Sequence, residues 1–220
     1  MKKLGILISG SGTNLQSIID NINSGFIKNA EISVVISNNS EAYGLVRAEK
    51  SSIPTAVINH KDFPNREDFE EKLIEKLEEY NIDYVILAGF MRVLTKKFIS
   101  HYRYKILNIH PALLPSFPGT DGQKQAFEYG VKFSGCTVHF VDEGTDTGPI
   151  IVQAVVPVLQ NDNVETLKKR ILAKEHIIFP YAIKLLVEDK LQISGRKVYI
   201  KDEPTENMKD LFLINPYSTS

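Results

Sequence analysis

Asn108 and His110 sit two residues apart at the end of the apolar run Ile106 to Ile109, which reads as a buried strand. Residues two apart on a strand share a face, so the amide and the imidazole project together. Such a pair can hold a developing oxyanion, and the imidazole can also carry a proton. The loop that follows, Ala112 to Gly119, is stiffened by Pro115 and Pro118, with Pro111 just before it. Stiff backing suits a preorganised polar site. Taken alone, a satisfied polar pair at a strand end is the better reading.

Two glycine-bearing loops offer partners. Ser9-Gly10-Ser11-Gly12-Thr13-Asn14-Leu15 joins an apolar run to a helical pattern. Glycines let backbone approach a ligand, and a helix start presents free N–H groups to an anion. A dinucleotide fingerprint needs a small residue where Leu15 stands, and an acid where Ser37-Asn38-Asn39 stands. A Walker loop needs Gly-Lys-Ser/Thr, which is absent. A phosphomonoester fits better than NAD or ATP, and a turn that binds nothing is the competing reading. Late in the chain, Gly144 and Gly148 flank Asp146 in Asp142-Glu143-Gly144-Thr145-Asp146-Thr147-Gly148-Pro149. This can be a site loop or a plain surface turn. It lacks the regular ligand spacing of a calcium loop, and no His/Cys cluster suggests zinc, so no metal is expected. His139 precedes this loop on a strand and is a possible site residue, with a satisfied sheet histidine equally open. His60 and His101 read as ordinary surface or interface residues.

These residues need a scaffold, and the chain alternates strands with helices. Strands are expected at Leu4 to Ser9, Ile32 to Ile36, Thr55 to Ile58, Tyr84 to Ala88 and Ile106 to Ile109. Helices are expected at Leu15 to Ile22, Ala42 to Lys50 and Arg66 to Tyr80. The last shows an apolar stripe of Phe69, Leu73, Ile74, Leu77 and Tyr80, with Glu and Lys covering the rest and Asn65 as its N-cap. Thr137 to Val141 and Ile150 to Val158 read as a late strand pair. Val164 to Leu186 reads as helix interrupted near Pro180, and Val198 to Ile200 as a final strand. Buried strands separated by helices imply α/β: a mostly parallel, doubly wound Rossmann-like sheet with helices on both faces and late antiparallel strands. Ligands gather beyond the carboxyl ends of such strands.

The 220 residues suit a single domain spanning 1–220, with the polar tail after Asp202 expected to be loose. A net charge of −1 and the lack of a basic run give no reason to expect nucleic acid. The start, Met1-Lys2-Lys3 and then Leu4 to Ile8, breaks too soon for a signal peptide, and no stretch approaches a membrane span. The lone Cys136 reads as a small core residue in a reducing, cytoplasmic setting.

Taken together, Gly10-Ser11-Gly12-Thr13-Asn14-Leu15, Leu87-Ala88-Gly89-Phe90-Met91-Arg92, Asn108-Ile109-His110-Pro111, Leu113-Leu114-Pro115 and Asp146-Thr147-Gly148-Pro149-Ile150 resemble the phosphoribosylglycinamide formyltransferase family. The resemblance runs from about Lys3 to Leu191. The Asn-Ile-His-Pro and Asp-Thr-Gly-Pro segments are shared with other formyltetrahydrofolate enzymes. The early glycine loop and Arg170-Ile171…Glu175-His176 point more narrowly. The resemblance implies formyl transfer from 10-formyltetrahydrofolate, a co-substrate, to the amine of glycinamide ribonucleotide in purine synthesis. It implies catalytic Asn108, His110 and Asp146. Gly12, Thr13, Asn14 and Glu175 would hold the ribonucleotide. Arg66, Met91, Arg92, Val93 and Leu94 would hold the folate, with Asn108, Asp142, Glu143, Gly144, Thr145 and Asp146. Partners would be small molecules only, and the assembly a monomer or homodimer. One departure stands out: Thr120-Asp121-Gly122, where the family often has His or Asn followed by Ala.

The residue types suit that chemistry. Amine attack on a formyl carbon builds negative charge on oxygen, which Asn108 and protonated His110 can stabilise. An unperturbed imidazole is mostly neutral at physiological pH, and a nearby carboxylate favours its charged form. That gives Asp146 its task, along with passing a proton toward the leaving folate nitrogen. Formyltetrahydrofolate hydrolase, methionyl-tRNA formyltransferase and a non-catalytic phosphate-binding module are the competing readings. The first two resemble longer chains with an added domain, and the third would not need Asn108, His110 and Asp146 together.

Overall fold

A computed structural model describes residues 1–201; the tail after Asp202 lies outside them. The strands are β1 (Lys2–Ile8), β2 (Ala30–Ser37), β3 (Thr55–Val57), β4 (Tyr84–Leu87), β5 (Ile106–His110), β6 (Phe133–Phe140), β7 (Ile150–Pro157), β8 (Leu191–Ser194) and β9 (Lys197–Ile200). The helices are α1 (Thr13–Asn23), α2 (Tyr43–Lys50), α3 (Arg66–Glu79), α4 (Lys96–His101), α5 (Gly122–Tyr129) and α6 (Val164–Val187). All the described strands join one sheet in the order β3-β2-β1-β4-β5-β6-β7-β9-β8. From β3 to β5 every pairing is parallel. β6 pairs antiparallel with β5 and β7, as the late strand pair led one to expect.

Parallel strands need crossovers, and the crossovers place helices on both faces. Along β1, Leu4, Ile6 and Ile8 enter a core with Leu15 and Ile18 of α1, Leu45 of α2 and Ile171, Ile178 and Phe179 of α6. Leu7 points the other way, into a core with Phe69, Leu73 and Leu77 of α3 and Phe98 of α4. The strand order turns back between β1 and β4, so the loops after these two strands diverge to opposite faces. Such a divergence opens a crevice at the carboxyl edge of the sheet.

Several expectations need correction. α6 is not interrupted at Pro180 but runs unbroken through it. Proline removes one N–H and crowds the carbonyl four residues back, that of His176. Here that carbonyl accepts instead from Ser17 Oγ of α1 at 2.9 Å, so the neighbouring helix satisfies it. Glu70 was expected on the solvent face of α3 and is 2% exposed. β6 starts at Phe133 rather than Thr137, and α4, α5 and β8 were not expected. Asn65 does cap α3, its Oδ1 accepting from Asp68 N at 2.8 Å. Cys136 is buried in the core, and burial pushes its thiol up. Among the described residues no helix is long and apolar enough to cross a membrane.

Candidate active site

β5 carries Asn108 and His110 to the crevice, and β6 lies beside it with Asn108 opposite His139. The His139 ring is buried, and its Nδ1–H donates to Phe140 O at 2.8 Å. Nε2 is therefore the acceptor, and Asn108 Nδ2 donates to it at 3.2 Å. This fixes which end of the amide is nitrogen, an assignment that rests on the network. Burial holds the His139 pKa below the usual histidine value. Its 3.7 Å approach to Asp146 Oδ1 is accordingly not an ion pair. His110 is 3% exposed and sits between two acceptors. Its Nε2–H donates to Phe117 O at 2.8 Å, and Nδ1 lies 3.3 Å from Asp146 Oδ2. A doubly protonated ring satisfies both acceptors at once.

Asp146 arrives from the loop between β6 and β7. Gly144 and Gly148 flank it, yet neither takes the left-handed conformation. Instead Asp146 itself adopts the left-handed conformation, at φ 54°. Gly148 serves close packing, since a Cβ there would overlap the Phe140 carbonyl. The Asp142 carboxylate shapes the loop by accepting from Gly144 N at 3.2 Å and Thr147 Oγ1 at 2.6 Å. Gly119 N donates to Asp146 Oδ2 at 2.7 Å, tying this loop to the proline-rich one. That proline-rich loop has a brace absent from the sequence reading. Thr137 Oγ1 accepts from Leu114 N at 3.1 Å and donates to Ala112 O at 2.7 Å, and Gln153 Nε2 donates to Leu114 O at 2.9 Å. A threonine and a glutamine inside apolar strands were the available signal.

The first glycine loop lies across the crevice. Gly12 caps α1 in the left-handed region at φ 69°, and a Cβ on it would come within 2.5 Å of Gly44 Cα. Gly44 N donates to Gly10 O at 3.0 Å, and Arg47 Nε donates to Ser11 O at 2.9 Å, so α2 supports the loop. Asn14 Nδ2 donates to Glu175 Oε2 of α6 at 2.8 Å in a buried contact. Burial raises the Glu175 pKa, and the Asn14 bond opposes the rise. Asn14 Oδ1 is buried with no partner among the described residues.

A cavity of about 370 Å³ connects these parts. Asn108, His110, Asp146, His139, Asn14 and Glu175 line it, as do Met91, Arg92, Val93, Leu94, Asp142, Gly144 and Thr145. Gly12, Thr13, Arg66 and Glu143 are not in its wall. Gly12 and Thr13 lie beside it, just before Asn14. Arg66 stands exposed at the start of α3.

Residues 2–183 match the family model described as formyl transferase. The phosphoribosylglycinamide formyltransferase of Haemophilus influenzae is 44% identical to this chain, across 91% of this chain and 94% of its own. The chain belongs to the phosphoribosylglycinamide formyltransferase family. The trifunctional purine biosynthetic protein adenosine-3 of Drosophila pseudoobscura pseudoobscura is 49% identical across 95% of this chain, which spans 15% of that protein's length. The glycinamide ribonucleotide transformylase 1 of Symbiobacterium toebii superposes with a TM-score of 0.89 at 50% identity, covering 91% of this chain and 94% of that one. Just past the proline-rich loop this chain carries Thr120-Asp121-Gly122. Asp121 takes a left-handed conformation, and Gly122 opens α5 beside the His110 ring. A Cβ on Gly122 would lie 3.1 Å from Phe117 O and 3.3 Å from His110 Nε2.

Proposed function

We propose that the chain transfers the formyl group of 10-formyltetrahydrofolate to the amine of glycinamide ribonucleotide, a step of de novo purine biosynthesis. The observation that carries this reading is the meeting of Asn108, His110 and Asp146 in one cavity, between the glycine loop and the Met91–Leu94 loop. The glycine loop and the α1 start take the phosphate with Gly12, Thr13 and Asn14. Glu175 and Asn14 Oδ1 take ribose or amine hydrogens. The folate occupies the part of the cavity walled by Met91 to Leu94 and by the loop from Asp142 to Asp146. Arg66 and Glu143 would approach the folate's outer end.

The amine attacks the formyl carbon, a C–N bond forms, and the formyl oxygen gains negative charge. Asn108 Nδ2 has a second hydrogen free of His139 and directs it to that oxygen. His110 gives the second hydrogen bond by turning one N–H from its present acceptor, while the Asp146 carboxylate stays beside the ring. The proton lost by the amine passes through Asp146, directly or through water, to the folate nitrogen as its bond to carbon breaks. The step requires no metal and no covalent nucleophile from the protein. The described residues form one catalytic domain in this reading, acting as a monomer or homodimer on small molecules. A phosphorylated substrate is retained within the cell, which makes the cytoplasm the proposed compartment.

Purified protein with 10-formyltetrahydrofolate, with and without glycinamide ribonucleotide, tests the reading. Deformylation that requires the ribonucleotide is expected. Turnover without it would make the chain a hydrolase, and no turnover with both present would refute formyl transfer.

A further inference from the structure

Between β4 and α4 the chain runs through Gly89, Phe90, Met91, Arg92, Val93, Leu94 and Thr95. Phe90 and Leu94 are buried, whereas Met91 is 70% and Val93 58% exposed. Phe90 and Leu94 anchor the loop in the core, but its cavity-facing middle, with Met91 and Val93 exposed, gets little of its shape from packing. That middle is held by polar ties near the loop's two ends. At the first, Met91 N donates to Ser9 Oγ at 2.8 Å, and that hydroxyl donates to Asn38 Oδ1 at 2.6 Å. At the second, Thr95 N donates to both carboxylate oxygens of Glu70, at 2.9 and 3.0 Å, and Thr95 Oγ1 donates to Glu70 Oε2.

Glu70 is an odd occupant of its place. It lies three, four and seven residues before Leu73, Ile74 and Leu77, within the stripe that α3 buries. A carboxylate there costs stability that an apolar residue would not. Burial raises the Glu70 pKa, and the Thr95 bonds offset part of the rise. Neither Glu70 nor Ser9 lines the cavity.

We propose that Glu70 and Ser9 are positioning residues that pin the two ends of the Met91–Leu94 loop in the form that receives the folate. The inference rests on the formyl transfer reading. Neither residue touches substrate. Each acts through a backbone N–H of the loop, and Glu70 carries the larger share because it holds two donors with a charged group.

Steady-state kinetics with both substrates varied, in the wild type and in Glu70→Ala, Glu70→Gln, Ser9→Ala and Thr95→Val, tests the proposal. Wild-type turnover that needs both substrates is checked first; its absence would sink the formyl transfer reading, and the pins would then be read from the dissociation constant for 10-formyltetrahydrofolate, expected to rise in the same variants by the same factors and overturning the proposal if unchanged. In Glu70→Ala, KM for 10-formyltetrahydrofolate is expected to rise about tenfold, the usual scale for losing hydrogen bonds to a charged group. The kcat and the ribonucleotide KM are expected to stay within about twofold. Glu70→Gln keeps an acceptor for Thr95 N and is expected to recover most of the loss. Ser9→Ala and Thr95→Val are each expected to raise the folate KM about threefold. They remain informative if Glu70→Ala does not fold. An unchanged folate KM in the folded variants would overturn the proposal. So would an equal fall in kcat, or an equal rise in both KM values, which a merely structural role would give.

Discussion

Gly122 shows how closely the site residues are fitted. A methyl group there meets Phe117 O and His110 Nε2 within about the tightest ordinary contact, so the ring or the carbonyl has to shift by tenths of an ångström. Small misplacements of a reacting group are costly. Gly122→Ala is expected to stay folded and lose about fivefold in kcat with little change in either KM, measured by steady-state kinetics. The pairing of Asn108 with His110 was legible because strand periodicity is strict: two residues apart means one face, and both residues do line one cavity. Gly122 was not legible, since the need for a missing Cβ comes from Ala112, Phe117 and His110 folding around it. The task of His139 was equally hidden. A histidine in a strand names no partner until the sheet register places it opposite Asn108. Glu70 left a usable sign, its helical spacing before Leu73, Ile74 and Leu77, which its charge obscured.

Elements of the fold position loops as well as cover the core. α2 holds the glycine loop through Gly44 N and Arg47, and the backbones of Gly12 and Gly44 nearly touch. A Cβ at Gly44 would strike Ile8 Cδ1 and crowd Gly12 Cα. Gly44→Ala is therefore expected to raise the ribonucleotide KM about tenfold and the folate KM much less, as the glycine loop proposed to take the phosphate is displaced. Long, periodic segments such as α3 and the central strands could be read from pattern because tertiary contacts reinforce it. α4, of six residues, and β8, of four, are too short to show a period. Pro180 misled for a physical reason. A lone helix would be broken there, but the carbonyl it frees finds Ser17 on the packed neighbour.

At the scale of the whole molecule, folding takes several ionisable groups out of water, and stability must follow pH accordingly. Glu175 has a raised pKa in the folded state. The folded state then binds its proton more tightly than the unfolded chain. The contribution of Glu175 to stability is best below its ordinary value of 4.5 and is lost as pH rises through the folded value. Glu175→Gln removes that loss. Its melting temperature is expected to exceed the wild type's by about 2 °C or more at pH 7.5, and the gap to close toward pH 4.5, as read by calorimetry. His139 and His176, both held below 6.5 by burial, act in the opposite sense, lowering stability as pH falls through 6.5 in both proteins alike. Folding also brings together three segments far apart in the chain, around residues 14, 110 and 146, and the chemistry is assigned to that meeting point. The most direct measurement is ribonucleotide-dependent formyl transfer by His110→Ala, with folding checked by circular dichroism. A folded variant whose kcat is lower by about a hundredfold or more is expected; near-normal turnover in that folded variant would contradict the site.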